Sequence, residues 1–153
     1  MMKMRKLAIG LAAVAISASA MAQAPMKPDT QIRMRKAAYD LMDYAFDTID
    51  AMNEGKRPYD KDEAVRAADL MVQMSRLPKL FFGEGTDKGS TRAKPEIWTH
   101  RADFDRKMDK MIAEVDKLAA AARTGKPEEL KFAANEAGDA CTACHDDYRQ
   151  KRH

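Results

Sequence analysis

The chain has 153 residues, which is enough for one domain and short of what two would need. Its 27 basic residues exceed its 24 acidic ones by three, but Lys3, Arg5 and Lys6 lie in residues 1–22, which hold no acid. The rest of the chain is therefore balanced in charge. This balance argues against a nucleic-acid or membrane-surface partner for the mature protein.

Residues 1–22 have the pattern of a secretory signal peptide. A positive start is followed by an apolar run over residues 7–20, and Ala20-Met21-Ala22 supplies small residues for cleavage. The run is shorter than the about 20 apolar residues that a bilayer-spanning helix needs. We therefore expect residues 23–153 to form the mature domain in the periplasm, with an uncleaved anchor helix as the alternative.

The mature chain begins with two predicted amphipathic helices, in which apolar residues recur at steps of three and four. Gly55 and Pro58 end the first. Asp60 and Glu63 give the second a start that resembles a capping box, and Pro78 stops it. The apolar seams are Ile32, Tyr39, Met42, Phe46 and Ile49 on the first helix, and Ala64, Ala67, Met71 and Met74 on the second.

Two further helices follow a long, glycine-containing connection over residues 79–94. Pro95 opens the third helix, and Gly125 and Pro127 separate it from the fourth. Their seams are Ile97, Arg101, Phe104, Met108, Met111, Val115, Leu118 and Ala122, and then Leu130, Ala134, Ala137, Cys141, Cys144 and Tyr148. Four such helices with mostly short links predict an all-α, antiparallel up-down-up-down four-helix bundle, whose core can hold a cofactor.

The run Cys141-Thr142-Ala143-Cys144-His145 is the strongest chemical signal in the chain. On a helix, Cys141 and Cys144 lie one turn apart on one face, and His145 projects from nearly the same face. Two thiols can bond the two vinyl groups of one porphyrin edge while the imidazole reaches its iron. The C-x-x-C-H spacing therefore predicts one covalently attached haem c, with His145 as iron ligand.

Three other uses of the cysteines fit less well. A thioredoxin-like dithiol needs a βαβ setting, and this sequence shows no strand pattern. A structural zinc site needs four ligands, for which His145, His100 and His153 are poorly spaced. A simple disulfide leaves the adjacent histidine unexplained.

The whole mature chain resembles the cytochrome c-prime family, the class II c-type cytochromes. The likeness is carried, in chain order, by Arg35, Leu77-Pro78, Phe82-Gly83-Glu84-Gly85-Thr86, Lys94-Pro95-Glu96-Ile97-Trp98, Cys141 to His145 and Tyr148-Arg149. It implies a haem-carrying four-helix bundle, often a homodimer, with His145 as the proximal ligand and Arg149 beside it. It also implies a vacant distal iron face that binds nitric oxide and carbon monoxide, whereas a smaller low-spin branch places methionine there.

Tyr39, four residues after Arg35, decides between these branches in helix one. A neutral phenol is a poor iron ligand, and its ordinary pKa is about 10, so an open site is favoured. Tyr39 is then a steric gate or an ordinary core aromatic, with a tyrosinate ligand as the remote alternative. Met42, one turn further, is the methionine that could bind iron instead.

The apolar seams and the family resemblance also suggest roles for several other residues. Arg35 lies on the helix-one seam, where a buried guanidinium needs a partner, and we expect a haem propionate to supply it. The alternative is an arginine at the frayed end of the bundle. The resemblance implies that Phe82 closes the edge of the haem. We expect Trp98 to be a packing residue and His100 to lie on the surface.

These observations predict a non-enzymatic haem protein, because no distal histidine or carboxylate is apparent on the helix-one seam near Tyr39. The first hypothesis is a high-spin, gas-binding periplasmic protein capable of one-electron transfer to redox partner proteins. The second is a low-spin electron carrier with Met42 on the iron. The third, a helical binding module with a disulfide, requires that no haem attaches.

Overall fold

The computed structural model of the protein describes residues 26–151. The predicted signal peptide, the mature start at Gln23 and His153 therefore lie outside the described residues. Within residues 26–151, no helix combines the length and the apolar character that crossing a bilayer requires.

Four long helices form the bundle that the sequence predicts. The helices are α1 (Pro28–Asn53), α2 (Lys61–Ser75), the single turn α3 (Glu96–Thr99), α4 (Arg101–Thr124) and α5 (Pro127–Tyr148), with a short 3-10 helix at Pro78–Phe81. The long helices pack in a ring, α1 on α2, α2 on α4, α4 on α5 and α5 on α1. The all-α, antiparallel up-down-up-down arrangement is confirmed.

The helix ends follow the local signals of the sequence. The Oδ1 atom of Asp60 accepts a hydrogen bond from the backbone N–H of Glu63 at 2.9 Å, so the predicted N-terminal cap of α2 is present. Gly125 ends α4 with φ of 75°, a left-handed conformation that glycine adopts without steric cost. Pro28 and Pro127 lie in the first turns of α1 and α5.

The prediction of one continuous third helix from Pro95 was wrong at His100. This residue has φ of −116° and ψ of 42°, which is not helical, and it separates α3 from α4. Its N–H closes α3 on the carbonyl of Glu96, while its carbonyl accepts the N–H groups of Asp103 and Phe104 and starts α4. The backbone groups are thus satisfied across the break, which no proline or glycine marks.

Each predicted seam faces the interior of the bundle. The largest side chains that are fully buried there include Ile49, Met71, Ile97, Phe104, Met108, Val115, Leu118 and Leu130. Five of the methionines that follow the predicted leader, Met42, Met52, Met71, Met108 and Met111, are buried, and flexible thioethers fill gaps between helices of this kind. The methionines of the bundle therefore serve mainly as packing residues.

The cap of α2 gives a testable stability effect. We expect D60A to lower the free energy of unfolding by about 1 kcal/mol, because one N–H of the first turn loses its acceptor. D60N keeps a side-chain oxygen at this position and should remain close to wild type. Urea unfolding followed by circular dichroism measures both, and equal losses in the two variants would show that the cap contributes nothing.

Candidate haem-binding site

A cavity of about 720 Å³ lies between the four long helices and the loop before α3. Its volume falls in the range of about 300–1,000 Å³ that is typical of ligand sites. Most of its interior is apolar. The apolar lining consists of Met42, Phe46, Met71, Phe82, Ile97, Phe104, Met108 and Met111. The cavity can therefore hold a large, mainly apolar group.

Helix α5 presents Cys141, Cys144 and His145 to this cavity. Cys144 is buried, whereas Cys141 and His145 are half-buried, and no disulfide joins the two cysteines, both of which lie in the described part of the chain. Burial raises the pKa of both thiols, that of Cys144 to about 11. Two thiols and one imidazole thus line a single wall, as attachment of one porphyrin edge requires.

The surroundings of His145 favour its neutral form. Burial, and then the cation of Arg149, lower the pKa of the imidazole below its ordinary value. Nη1 of Arg149 lies 3.5 Å from Nδ1 of His145, which is too long for a strong hydrogen bond. Neutral imidazole is the form that binds metal, so the site suits His145 as an iron ligand.

Helix α1 supplies the facing wall through Tyr39 and Met42. The Tyr39 hydroxyl donates to Sδ of Met108 at 3.7 Å, a weak contact, and finds no stronger acceptor among the described residues' hydrogen bonds. Burial, followed by the charge of Cys144, raises the pKa of Tyr39 above its ordinary value. The phenol is therefore held neutral, which disfavours a tyrosinate ligand. Met42 is buried in the same wall.

Arg35 lies at the inner end of this wall and is only 2% exposed. Its guanidinium donates to the carbonyls of Phe81 at 3.0 Å and Thr86 at 2.7 Å, and to Oγ1 of Thr91 at 2.6 Å. It also lies 4.5 Å from the centre of the Phe82 ring. The protein itself thus supplies partners for the buried cation. The contact with a haem propionate stays a prediction.

Phe82 and Trp98 form an aromatic corner at the edge of the cavity. The Phe82 ring packs edge-on against Phe104 at 4.8 Å between centroids and lies 6.1 Å from Trp98. Trp98 donates its indole N–H to the carbonyl of Gly83 at 3.2 Å. Trp98 is therefore the packing residue that the sequence predicts, and His100 is exposed as expected.

Carboxylates border the cavity, although none lies on the helix-one seam near Tyr39. Asp40, Asp43 and Asp47 of α1 also line the cavity. Asp43 is close enough to α5 for its negative charge to act on two residues there. It helps burial to raise the pKa of Cys141, and it partly offsets the effect of burial that lowers the pKa of His145. Asp43 follows Tyr39 by four residues, one helical turn, and this spacing could have revealed it. Exposed aspartates, however, resemble an ordinary solvated face.

Comparison with known proteins supports one family over the whole domain. The model of the family described as Cytochrome C' matches residues 30–149. Cytochrome c' of Rubrivivax gelatinosus is 42% identical over 126 residues, which cover 82% of this chain and 98% of that relative. The chain belongs to the cytochrome c' family.

Solved cytochrome c' structures share the fold closely. That of Rubrivivax gelatinosus has a TM-score of 0.79 at 41% identity, over 82% of this chain and 98% of the other. A nitric oxide complex of a point mutant from Alcaligenes xylosoxidans has a TM-score of 0.78 at 34% identity, over 84% and 100% of the two chains. A cytochrome c' with ligand-controlled dimer dissociation has a TM-score of 0.79 at 31% identity, with the same coverage.

Cytochromes c' bind haem c covalently, and the site of this chain fits that cofactor. The cavity is large enough, its lining is mostly apolar, and both cysteines of the chain lie on one of its walls. The chain therefore carries haem c through Cys141 and Cys144, and the group would supply redox chemistry and an iron centre when bound.

Three contacts with α4 hold the turn of α5 that bears the haem motif. Lys107 donates to the carbonyl of Ala143 at 3.1 Å and pairs with Asp147 at 2.7 Å. The Tyr148 hydroxyl donates to Oδ2 of Asp103 at 2.6 Å. None of these contacts was predicted, because helix periodicity shows which residues face inward but not which side chains meet across two helices.

The Tyr148–Asp103 pair makes stability depend on pH. Burial and this hydrogen bond raise the pKa of Tyr148 to about 12, and the same bond lowers the pKa of Asp103. A lowered carboxyl pKa stabilises the fold above the unfolded value of about 3.9, and this contribution is lost as pH falls through the folded pKa. We expect Y148F to lower Tm at pH 7 and to lower it less at pH 3. Thermal unfolding followed by circular dichroism measures Tm, with Y44F as an exposed control. An equal difference in Tm between Y148F and wild type at both pH values would contradict the prediction.

Proposed function

We propose that this protein is a periplasmic cytochrome c' in which His145 is the sole protein ligand of the iron and the distal site is open. It binds nitric oxide and carbon monoxide at that site and transfers single electrons to redox partner proteins. No catalytic role is assigned to any residue. Export depends on the signal peptide expected at residues 1–22.

The neutral side chain of Tyr39 on the cavity wall is the observation that supports this proposal. Its hydroxyl has only a thioether as acceptor, and its pKa is raised, so it does not compete for iron as an anion. Met108 and Phe82 are among the apolar side chains that make up most of the cavity lining. A mainly apolar site favours a small uncharged gas over a charged ligand, because a charge is costly to bury there.

The nitric oxide complex of the Alcaligenes xylosoxidans relative supports the ligand class. The outward face of α1 supports the expected homodimer, because the side chains of Met34, Leu41 and Tyr44 are exposed there, at 44%, 44% and 69%. A cytochrome c' relative forms a dimer whose dissociation is ligand-controlled, and this supports self-association of the present chain.

A low-spin electron carrier with Met42 as sixth ligand is the second candidate. Met42 is a buried thioether in the cavity wall, three residues after Tyr39 on the same helix. A thioether of this kind binds haem iron in other cytochromes and raises the reduction potential. Spin state separates this candidate from the first.

Absorption spectra of the purified mature protein, oxidised and reduced, with and without carbon monoxide, test the proposal. We expect a high-spin ferric spectrum and a reduced spectrum that shifts when carbon monoxide is added. A low-spin spectrum with a sulfur-to-iron band and no response to carbon monoxide would overturn it in favour of Met42. In that case the M42L variant should become high-spin.

A further inference from the structure

Residues 86–94, which we name the strap, run across one side of the haem cavity from α1 to the end of α5. Five consecutive strap residues, Gly89 to Ala93, line the cavity. The strap contains no regular helix, so its position depends on the side chains and backbone groups that hold it at each end. Both ends are held by hydrogen bonds to elements that carry residues of the site.

The first attachment is Arg35 on α1. Its guanidinium donates to the carbonyl of Thr86, which is fully buried, and to Oγ1 of Thr91, both within the strap. Because Arg35 lies four residues before Tyr39, one helical turn separates this anchor from the distal wall. A buried guanidinium that lost these acceptors would be left with unsatisfied donors, so the attachment is strongly favoured.

The second attachment is the end of α5, beyond His145. Lys94 N–H donates to the carbonyl of Tyr148 at 3.0 Å, and Gln150 N–H donates to the carbonyl of Arg92 at 2.8 Å. Ala93 and Arg149 form an antiparallel bridge between these bonds. The strap therefore pairs with the segment that leads out of the helix bearing the proximal histidine.

Thr91 joins the two attachments. Its Oγ1 accepts from Nη2 of Arg35 at 2.6 Å and from the backbone N–H of Ala93 at 3.1 Å. Ala93 is the residue that bridges to Arg149. One hydroxyl thus connects the α1 anchor directly to the point at which the strap meets the end of α5.

We propose that Arg35 and Thr91 are positioning residues that hold the strap as a fixed wall of the haem cavity and so set ligand access to the iron. The hydroxyl of Thr91 links Arg35, through Ala93, to the segment that follows His145. The effect on ligand access rests on the proposed function. The role of Arg35 in holding the strap differs from a contact with a haem propionate, because the groups that accept its hydrogen bonds belong to the protein.

The holoprotein variants T91V and T91S test this proposal. T91V removes the shared acceptor with little change in shape, while T91S retains it. T99V is the matched control, because Thr99 is exposed and its hydroxyl bonds only within its own turn and to the adjacent His100. R35K is a second perturbation, since one ammonium cannot reproduce the planar fork of donors.

Two measurements are made on each variant: hydrogen exchange of peptides covering the strap and residues 146–151, and the rate of carbon monoxide association with the reduced protein. We expect exchange in both peptides of T91V to be faster by about tenfold, because a hydrogen bond to a charged donor is lost from a local opening equilibrium. Carbon monoxide association should also be faster. R35K should resemble T91V, and T91S should resemble wild type and T99V.

Unchanged exchange in T91V, or an equal effect in T91S, would overturn the proposal. Faster exchange with an unchanged association rate would overturn the link between the strap and ligand access. If the wild-type protein does not bind carbon monoxide, the proposed open site fails, while the exchange data still decide whether Thr91 and Arg35 hold the strap.

Discussion

We expect a C141A/C144A variant to retain no haem after denaturing electrophoresis, whereas the wild-type protein keeps its haem on the chain. Both thiols lie on the α5 wall of the cavity and no other cysteine is present in the sequence. Without a thioether, only coordination and apolar contact hold the group, and neither survives unfolding. Haem staining of the gel measures the difference directly.

The same variant should also lose stability. Without the haem, wall residues such as Met108 and Phe46 would lose close packing, because the cavity of about 720 Å³ would fill with water or its walls would collapse.

H145A is the matched control for haem attachment, because it removes the imidazole and keeps both cysteines. Haem that stays on C141A/C144A, or that leaves H145A, would contradict attachment through Cys141 and Cys144.

We expect Y39A to raise the rate of carbon monoxide association with the reduced protein by about tenfold or more, which corresponds to about 1.4 kcal/mol of barrier. Tyr39 lines the cavity and has no strong hydrogen bond to hold its hydroxyl elsewhere, so in the proposed open site we expect its ring to be the obstacle that a ligand meets. Stopped-flow or flash photolysis measures the rate, and the high-spin spectrum reports that His145 still binds the iron.

Two matched variants separate steric from polar effects. Y39F keeps the ring and should bind carbon monoxide at nearly the wild-type rate, since the hydroxyl contacts only the sulfur of Met108 at 3.7 Å. Y44A removes a tyrosine from the same helix that is 69% exposed and does not line the cavity, so its rate should also be unchanged. A rate in Y39A equal to that in Y44A would remove Tyr39 as a gate.

The helices and most of their ends could be predicted, because their signals are local. The cap of α2 at Asp60 and the end of α4 at Gly125 follow from groups within a few residues of each other. The break at His100 could not be predicted from such signals. It depends on how a single turn, α3, packs beside α4 and α5 as the chain returns from the strap.

The candidate site also has a part that the sequence predicts and a part that it does not. The presence of Tyr39, Met42 and Phe82 at the cavity follows from the apolar seam and the family likeness. The partners of Arg35 do not, since they are two backbone carbonyls and a hydroxyl 46 to 56 residues away in the chain. Backbone acceptors carry no sequence signal, so a carboxylate of the haem was the natural expectation.

The sequence by itself determined the class of fold, the two cysteines and the histidine that line one wall of the cavity, and the helix on which they lie. Each of these depends on helix period and on spacing over one turn. Only the tertiary structure decided that Arg35 anchors the strap, that Lys107 and Asp103 hold the end of α5, and that aspartates border the cavity. These are contacts between distant segments, whose pairing is set by how whole helices and loops pack together.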